Sequence, residues 1–95
     1  MQVLISPGFG AGWSTWNEGG LKLATDPRII EAFSYMGREE FFAYCEELGY
    51  GHIYGRGYRN LRVVDVPSGV LFRINEHDGA ESIEIFNADN WERAI

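Results

Sequence analysis

Basic residues, cysteine, histidine and long apolar runs are all scarce in this chain. Eight lysines and arginines stand against fourteen aspartates and glutamates, a formal charge of −6. A general nucleic-acid binder carries the opposite surplus, because cationic side chains must displace the counterions of the phosphate backbone. The same deficit argues against a protein that docks on anionic membranes. A single cysteine, Cys45, cannot close an internal disulfide, which excludes a stapled secreted mini-domain and fits a reducing interior. Apolar runs such as Val3-Leu4-Ile5 fall far short of the roughly 20 residues a membrane span needs. Met1-Gln2 does not open a charged, then apolar, signal segment. Two histidines, His52 and His77, leave little material for acid–base or metal chemistry.

What is present fits one small acidic domain over residues 1–95, with no membrane and no nucleic acid as partner. Residues 2–6 read as a strand stopped by Pro7-Gly8. Residues 21–25 alternate weakly, as a strand or an extended lead-in. Asp26-Pro27 is a helix start, with Asp accepting a backbone N–H at the N-cap and Pro at the first helical position. Ile29, Ile30 and Phe33 share one face of that helix. A second helix runs from Arg38 to Leu48, with Phe41, Cys45 and Leu48 as a core stripe, and Gly49 or Gly51 ends it.

The last third reads as β-structure. Residues 61–66 and 70–75 suggest a hairpin across Pro67-Ser68-Gly69, and Asp78-Gly79 marks a second turn before residues 81–86. Residues 87–95 read as a loop and frayed turn, with Trp91 packing back. The predicted fold is α+β, a mainly antiparallel sheet of about four strands with two helices packed on one face.

Two segments carry candidate chemistry. Gly8-Phe-Gly-Ala-Gly-Trp-Ser-Thr-Trp16 follows the first strand, and consecutive small residues let amides turn toward an anion. It lacks the third glycine of a dinucleotide fingerprint and the Gly-Lys-Ser/Thr of a Walker loop. It reads equally as a tight irregular loop with Trp13 and Trp16 tucked beneath it.

The second segment is Tyr50-Gly-His-Ile-Tyr-Gly-Arg-Gly-Tyr-Arg-Asn-Leu-Arg62. Residues 50–73 carry a net +3, whereas the other 71 residues carry −9. A cationic island in an acidic protein suits a dedicated anion site, and arginine forks bind phosphate or carboxylate bidentately. Tyr50, Tyr54, Tyr58 and His52 interleave with Arg56, Arg59 and Arg62, and stacking planes beside guanidinium forks suit a nucleobase joined to phosphate. The alternative is cross-strand pairing of these arginines with surface acids, each pair contributing about 0–1 kcal/mol.

Catalysis has little support. Ser14 lacks the final glycine of a nucleophile elbow, Cys45 lies on a buried stripe, and no cofactor or metal motif is present. Glu39-Glu40 and Glu46-Glu47 read as a solvated helix face.

Ser6-Pro-Gly-Phe-Gly-Ala-Gly-Trp-Ser-Thr-Trp-Asn17 and the closing Val66-Pro-Ser-Gly-Val-Leu-Phe-Arg-Ile-Asn-Glu-His-Asp-Gly-Ala-Glu-Ser-Ile-Glu84 resemble a group of small proteins encoded by tailed bacteriophages and prophages. The likeness spans nearly the whole chain, although the group usually has an aromatic residue at the position of His77. It implies expression in the cytoplasm of a bacterial host and brings no settled activity with it. Phage proteins of this size often act on host defence.

Two mechanisms then fit the residues. In the first, the protein is a homo-oligomeric sponge for a cyclic nucleotide or ADP-ribose derivative. The glycine segment (Gly8, Gly10, Gly12, with Ser14 and Thr15) would hold phosphate. Arg56, Arg59 and Arg62 would neutralise it, and Trp13, Trp16, Tyr54 or Tyr58 would sandwich the base. In the second, acidic faces at Glu39, Glu40, Glu46 and Glu47 bind a host defence complex, imitating nucleic acid. Another role in host takeover, or a small phosphodiesterase or glycosidase, is a further alternative without a nameable general acid and base.

Overall fold

A computed structural model describes residues 1–86, in which β1 (Gln2–Ile5) pairs antiparallel with β2 (Arg62–Asp65), Val3 opposite Val64 and Leu4 opposite Val63. The pairing continues one residue further, where Val66 N–H donates to Met1 O at 2.7 Å and the Met1 amino group donates to Val66 O at 3.0 Å. The second ribbon joins β3 (Phe72–His77) to β4 (Ala80–Ile85) across Asp78-Gly79. Between β1 and β2 lie α1 (Gly20–Thr25), α2 (Pro27–Phe33) and α3 (Arg38–Cys45). Short 3-10 turns at Ser14–Trp16 and Tyr58–Asn60 flank them.

The fold class is therefore α+β, with a different arrangement from the one the sequence suggests. Among the described residues there are two two-stranded sheets rather than one of four, and three helices rather than two on one face. Residues 61–66 and 70–75 do not form a hairpin, because β2 is taken by β1. Residues 21–25 are helical because Leu23 and Ala24, adjacent in sequence, are both buried on the inward side of α1. The reading of residues 87–95, Trp91 included, lies outside the described residues.

Alternation along β1 divides the interior in two. Leu4 points into a cluster with Trp13, Leu23, Ile29, Phe41, Cys45 and Leu61, all essentially inaccessible to solvent. Val3 and Ile5 point the other way, to Ala24, Val66 and the half-buried Phe72, Ile74 and Ile83 of the second ribbon. Residues of α2 and α3 thus pack on one side of β1 and the β3–β4 ribbon on the other, with α1 giving Leu23 to the first cluster and Ala24 to the second.

Local rules explain the helix ends. The Asp26 carboxylate caps α2 by accepting from Arg28 N at 2.9 Å, with Pro27 at the first helical position. α3 passes into one wide turn, Glu46–Tyr50, broken at Gly49. That turn delivers the Tyr50 hydroxyl to Asp26 Oδ2, 2.7 Å away.

Candidate functional site

The inward face of the β3–β4 ribbon changes character along its length. Phe72 opposite Ile85 and Ile74 opposite Ile83 are apolar pairs, but the next pair on the same face is Glu76 opposite Glu81. Those two carboxylates meet the glycine-rich segment. Glu81, only 2% exposed, accepts from Ser6 N and Trp13 N at 2.8 Å each, from Thr15 N at 3.0 Å and from Thr15 Oγ1 at 2.5 Å. Glu76 accepts from Gly79 N at 2.6 Å and from Trp16 Nε1 at 3.1 Å. The Gly79 amide bond, followed by that from Trp16, holds the Glu76 carboxyl below its ordinary range. The segment does collect amides around an anion, and that anion is the chain's own Glu81.

The turn between those strands also clamps the segment from outside. Gly10 N donates to Asp78 O at 2.9 Å. Gly79 (φ +84°) sits so close that a Cβ there would lie 2.4 Å from Ala11 N, so glycine is required twice over.

On the far side, the segment is met by residues 55–59. Ser6 Oγ donates to Ala11 O at 3.0 Å, and a Cβ on Gly57 would lie 2.8 Å from that same Ala11 oxygen. Gly57 therefore permits the close approach that carries its neighbours Arg56 and Arg59 to the glycine loop. Together with Arg38, they form an open hollow of about 410 Å³ lined by Phe9, Gly10, Ala11, Arg38, Arg56 and Arg59. Arg38 begins α3, and its guanidinium lies 5.5 Å from the Phe42 ring centroid, a cation–π contact that steers it. Phe9 is 75% exposed at the rim.

Among the described residues, none of these three arginines is in an ion pair. By contrast, Arg28 pairs with Asp26 and Arg73 with Glu84. Among the described residues, no carboxylate lines the hollow. Three unneutralised guanidiniums beside an exposed ring can receive a compact anion joined to a flat group.

The other sequence candidates lie elsewhere. Trp13 is fully buried and stacks on Phe41 with centroids 5.7 Å apart. Tyr58 packs against Phe33, Phe41 and Phe42. Gly8, Gly12 and Ser14 are wholly or partly buried, and Thr15 is bound to Glu81. Arg62, on β2, donates to Leu61 O at 2.8 Å. Trp16 and Tyr54 form a separate, partly exposed ring pair 5.6 Å apart. Asn17 holds that pair in place, its side chain accepting from Tyr54 N at 2.7 Å and donating to Tyr54 O at 3.1 Å.

Of the twelve candidates, Gly10, Arg56 and Arg59 converge on the hollow, and the sequence reading missed Phe9, Arg38 and Glu81. Signals for two of these exist: Phe9 is a ring between two glycines, and Glu81 shares strand parity with Ile83 and Ile85.

Cys45 is buried in the core, and burial pushes its thiol up to about 12. Among the described residues no three His, Cys, Asp or Glu side chains converge as metal ligands would. No described helix is long and apolar enough to cross a membrane. The chain matches no known family model, no curated protein and no solved structure.

Proposed function

We propose that the protein binds a nucleotide-derived anion in the Arg38–Arg56–Arg59 hollow and sequesters it without chemistry. The observation that carries this reading is the set of three guanidiniums, free of ion pairs among the described residues, around Gly10 and the exposed Phe9 ring. The described residues that line the hollow are Phe, Gly, Ala and Arg, and arginine does not give up its proton in proteins, so none of these lining side chains serves as a general base. That composition favours retention over turnover. The resemblance of the opening segment to phage proteins supplies the setting: a counter-defence protein in the host cytoplasm, taking up a cyclic nucleotide or ADP-ribose derivative that signals infection. A second copy of the chain would close the open side of the hollow in a homo-oligomer.

A thermal-shift screen of signalling nucleotides tests it. At a hundredfold excess over Kd, a true ligand raises Tm by on the order of 10 °C. The rise disappears in the Arg56→Ala/Arg59→Ala double variant, and mass spectrometry recovers the ligand unaltered. Absence of any shift across cyclic nucleotides and ADP-ribose derivatives contradicts the reading.

A second reading rests on Glu39, Glu40, Glu46 and Glu47, all exposed along α3 and the turn after it. It predicts co-purification of a host protein that is lost on charge reversal across residues 39–47.

A further inference from the structure

The donors around the hollow set what can fill it. Gly10 N is bonded to Asp78 O, and the amides of Trp13 and Thr15 are bonded to Glu81. These three amides of the glycine segment are therefore engaged, and the charged donors that line the hollow are Arg38, Arg56 and Arg59. The three come from different places: the start of α3, the loop before the Tyr58–Asn60 turn, and that turn itself. All three line the hollow, and among the described residues no carboxylate lines it with them.

Like charges gathered at one hollow repel, and a ligand that covers them without matching them strips water from unpaired cations. A ligand with a single negative charge satisfies one fork and leaves the others desolvated. A ligand with two or more oxyanion groups satisfies them bidentately. There is also an upper limit. Glu39 and Glu40 follow Arg38 directly and are exposed, and the sequence outside residues 50–73 carries −9. An extended polyanion that reaches past the hollow meets that charge.

We infer that the hollow selects small anions bearing at least two negative charges and a flat ring, and rejects both singly charged nucleotides and longer nucleic acid. This inference rests on the reading of the hollow as the binding site.

Calorimetric titration of the full chain with 3′,5′-cyclic AMP, ADP-ribose, cyclic di-adenylate and a short oligouridylate tests it. At least one of the two doubly charged nucleotides binds at least about tenfold more tightly than cyclic AMP, the scale of one charge-assisted hydrogen bond. Arg38→Ala, an exposed position whose folding is checked by circular dichroism, weakens that nucleotide about tenfold and changes cyclic AMP by less than about threefold. Cyclic AMP binding within about threefold of the doubly charged ligands overturns the charge selection while leaving the hollow as a nucleotide site. An oligouridylate that binds as tightly as they do overturns the size limit. If no nucleotide binds, the proposed function fails and this inference fails with it.

Discussion

Thr15 gives the Glu81 carboxylate two hydrogen bonds, one from its amide at 3.0 Å and one from its hydroxyl at 2.5 Å. With Ser6 N and Trp13 N on the same carboxylate, this ties β4 to the residue that follows β1 and to the glycine-rich segment across 66 to 75 residues of sequence. Glu81→Ala leaves three amides without their partner, at about 1–3 kcal/mol each. Against a total of roughly 5–15 kcal/mol for a domain, that brings the protein near unfolding. Thr15→Val removes only the hydroxyl bond and costs about 1.5–3 kcal/mol. Urea denaturation checks both, and an unchanged midpoint in Glu81→Ala contradicts the role assigned to that carboxylate.

Gly79 and Gly57 brace the floor of the hollow from opposite sides. Gly79→Ala puts a Cβ against the Ala11 backbone at positive φ, where neither the turn nor the loop can yield cheaply. Gly57→Ala pushes residues 55–59 away from the Ala11 carbonyl. Each is expected to destabilise by about 2 kcal/mol or more. Gly57→Ala also lowers ligand affinity in the folded fraction, since Arg56 and Arg59 move with it. Equal affinity in that fraction would show that the close approach is not what places the arginines.

The Asp26–Tyr50 pair contributes to both limbs of the pH–stability profile. Hydrogen bonds, from Arg28 first and then from Tyr50, hold the Asp26 carboxyl well below its ordinary 3.8. A depressed folded pKa stabilises above the unfolded value, so this contribution is complete by about pH 5 and drains away as pH falls through that value. Burial, then the bond to Asp26, pushes the Tyr50 hydroxyl up to about 12. A raised folded pKa stabilises below the unfolded value, so its contribution is lost as pH rises from about 10 toward 12. Thermal melts across pH should show Asp26→Asn flattening the acid limb and Tyr50→Phe the alkaline one. Unaltered limbs would mean that other groups control them.

Much of this was legible locally. Asp26-Pro27 announces a capped helix, Asp78-Gly79 a tight hairpin, and Phe41 with Cys45 a buried stripe, because each signal depends on neighbours a few residues away. The pairing of β1 with β2 was not legible, since strands some sixty residues apart leave no mark on either sequence. Pro67-Ser68-Gly69 looks like a hairpin turn and instead lets the chain leave one ribbon for the other. At the site, the charge island was visible, but its partner was not. The glycine segment has the composition of a phosphate cradle, yet its Trp13 and Thr15 amides go to Glu81, and only the parity of Glu81 with Ile83 and Ile85 hints that a carboxylate turns inward. Trp13 and Tyr58, each preceded by a glycine in sequence, pack on the core because α3 presents Phe41 to both and Phe42 to Tyr58.

Trp16 and Tyr54 offer an internal control. Their ring pair is partly exposed but is not among the residues lining the hollow, and the Trp16 Nε1 bond to Glu76 fixes it. Trp16→Phe removes that bond, which is exposed, and should change stability by no more than about 1 kcal/mol while leaving nucleotide affinity within about twofold. A large loss of affinity in calorimetry would move the site from the arginine hollow to this pair.

An NMR titration of the full chain with ADP-ribose and cyclic di-adenylate tests the arginine hollow most directly. The largest shifts are expected at the Nε–H groups of Arg38, Arg56 and Arg59 and at the Phe9 ring, with Trp13 and Tyr58 nearly still. Shifts confined to Trp16 and Tyr54, or none at all with either ligand, would contradict it.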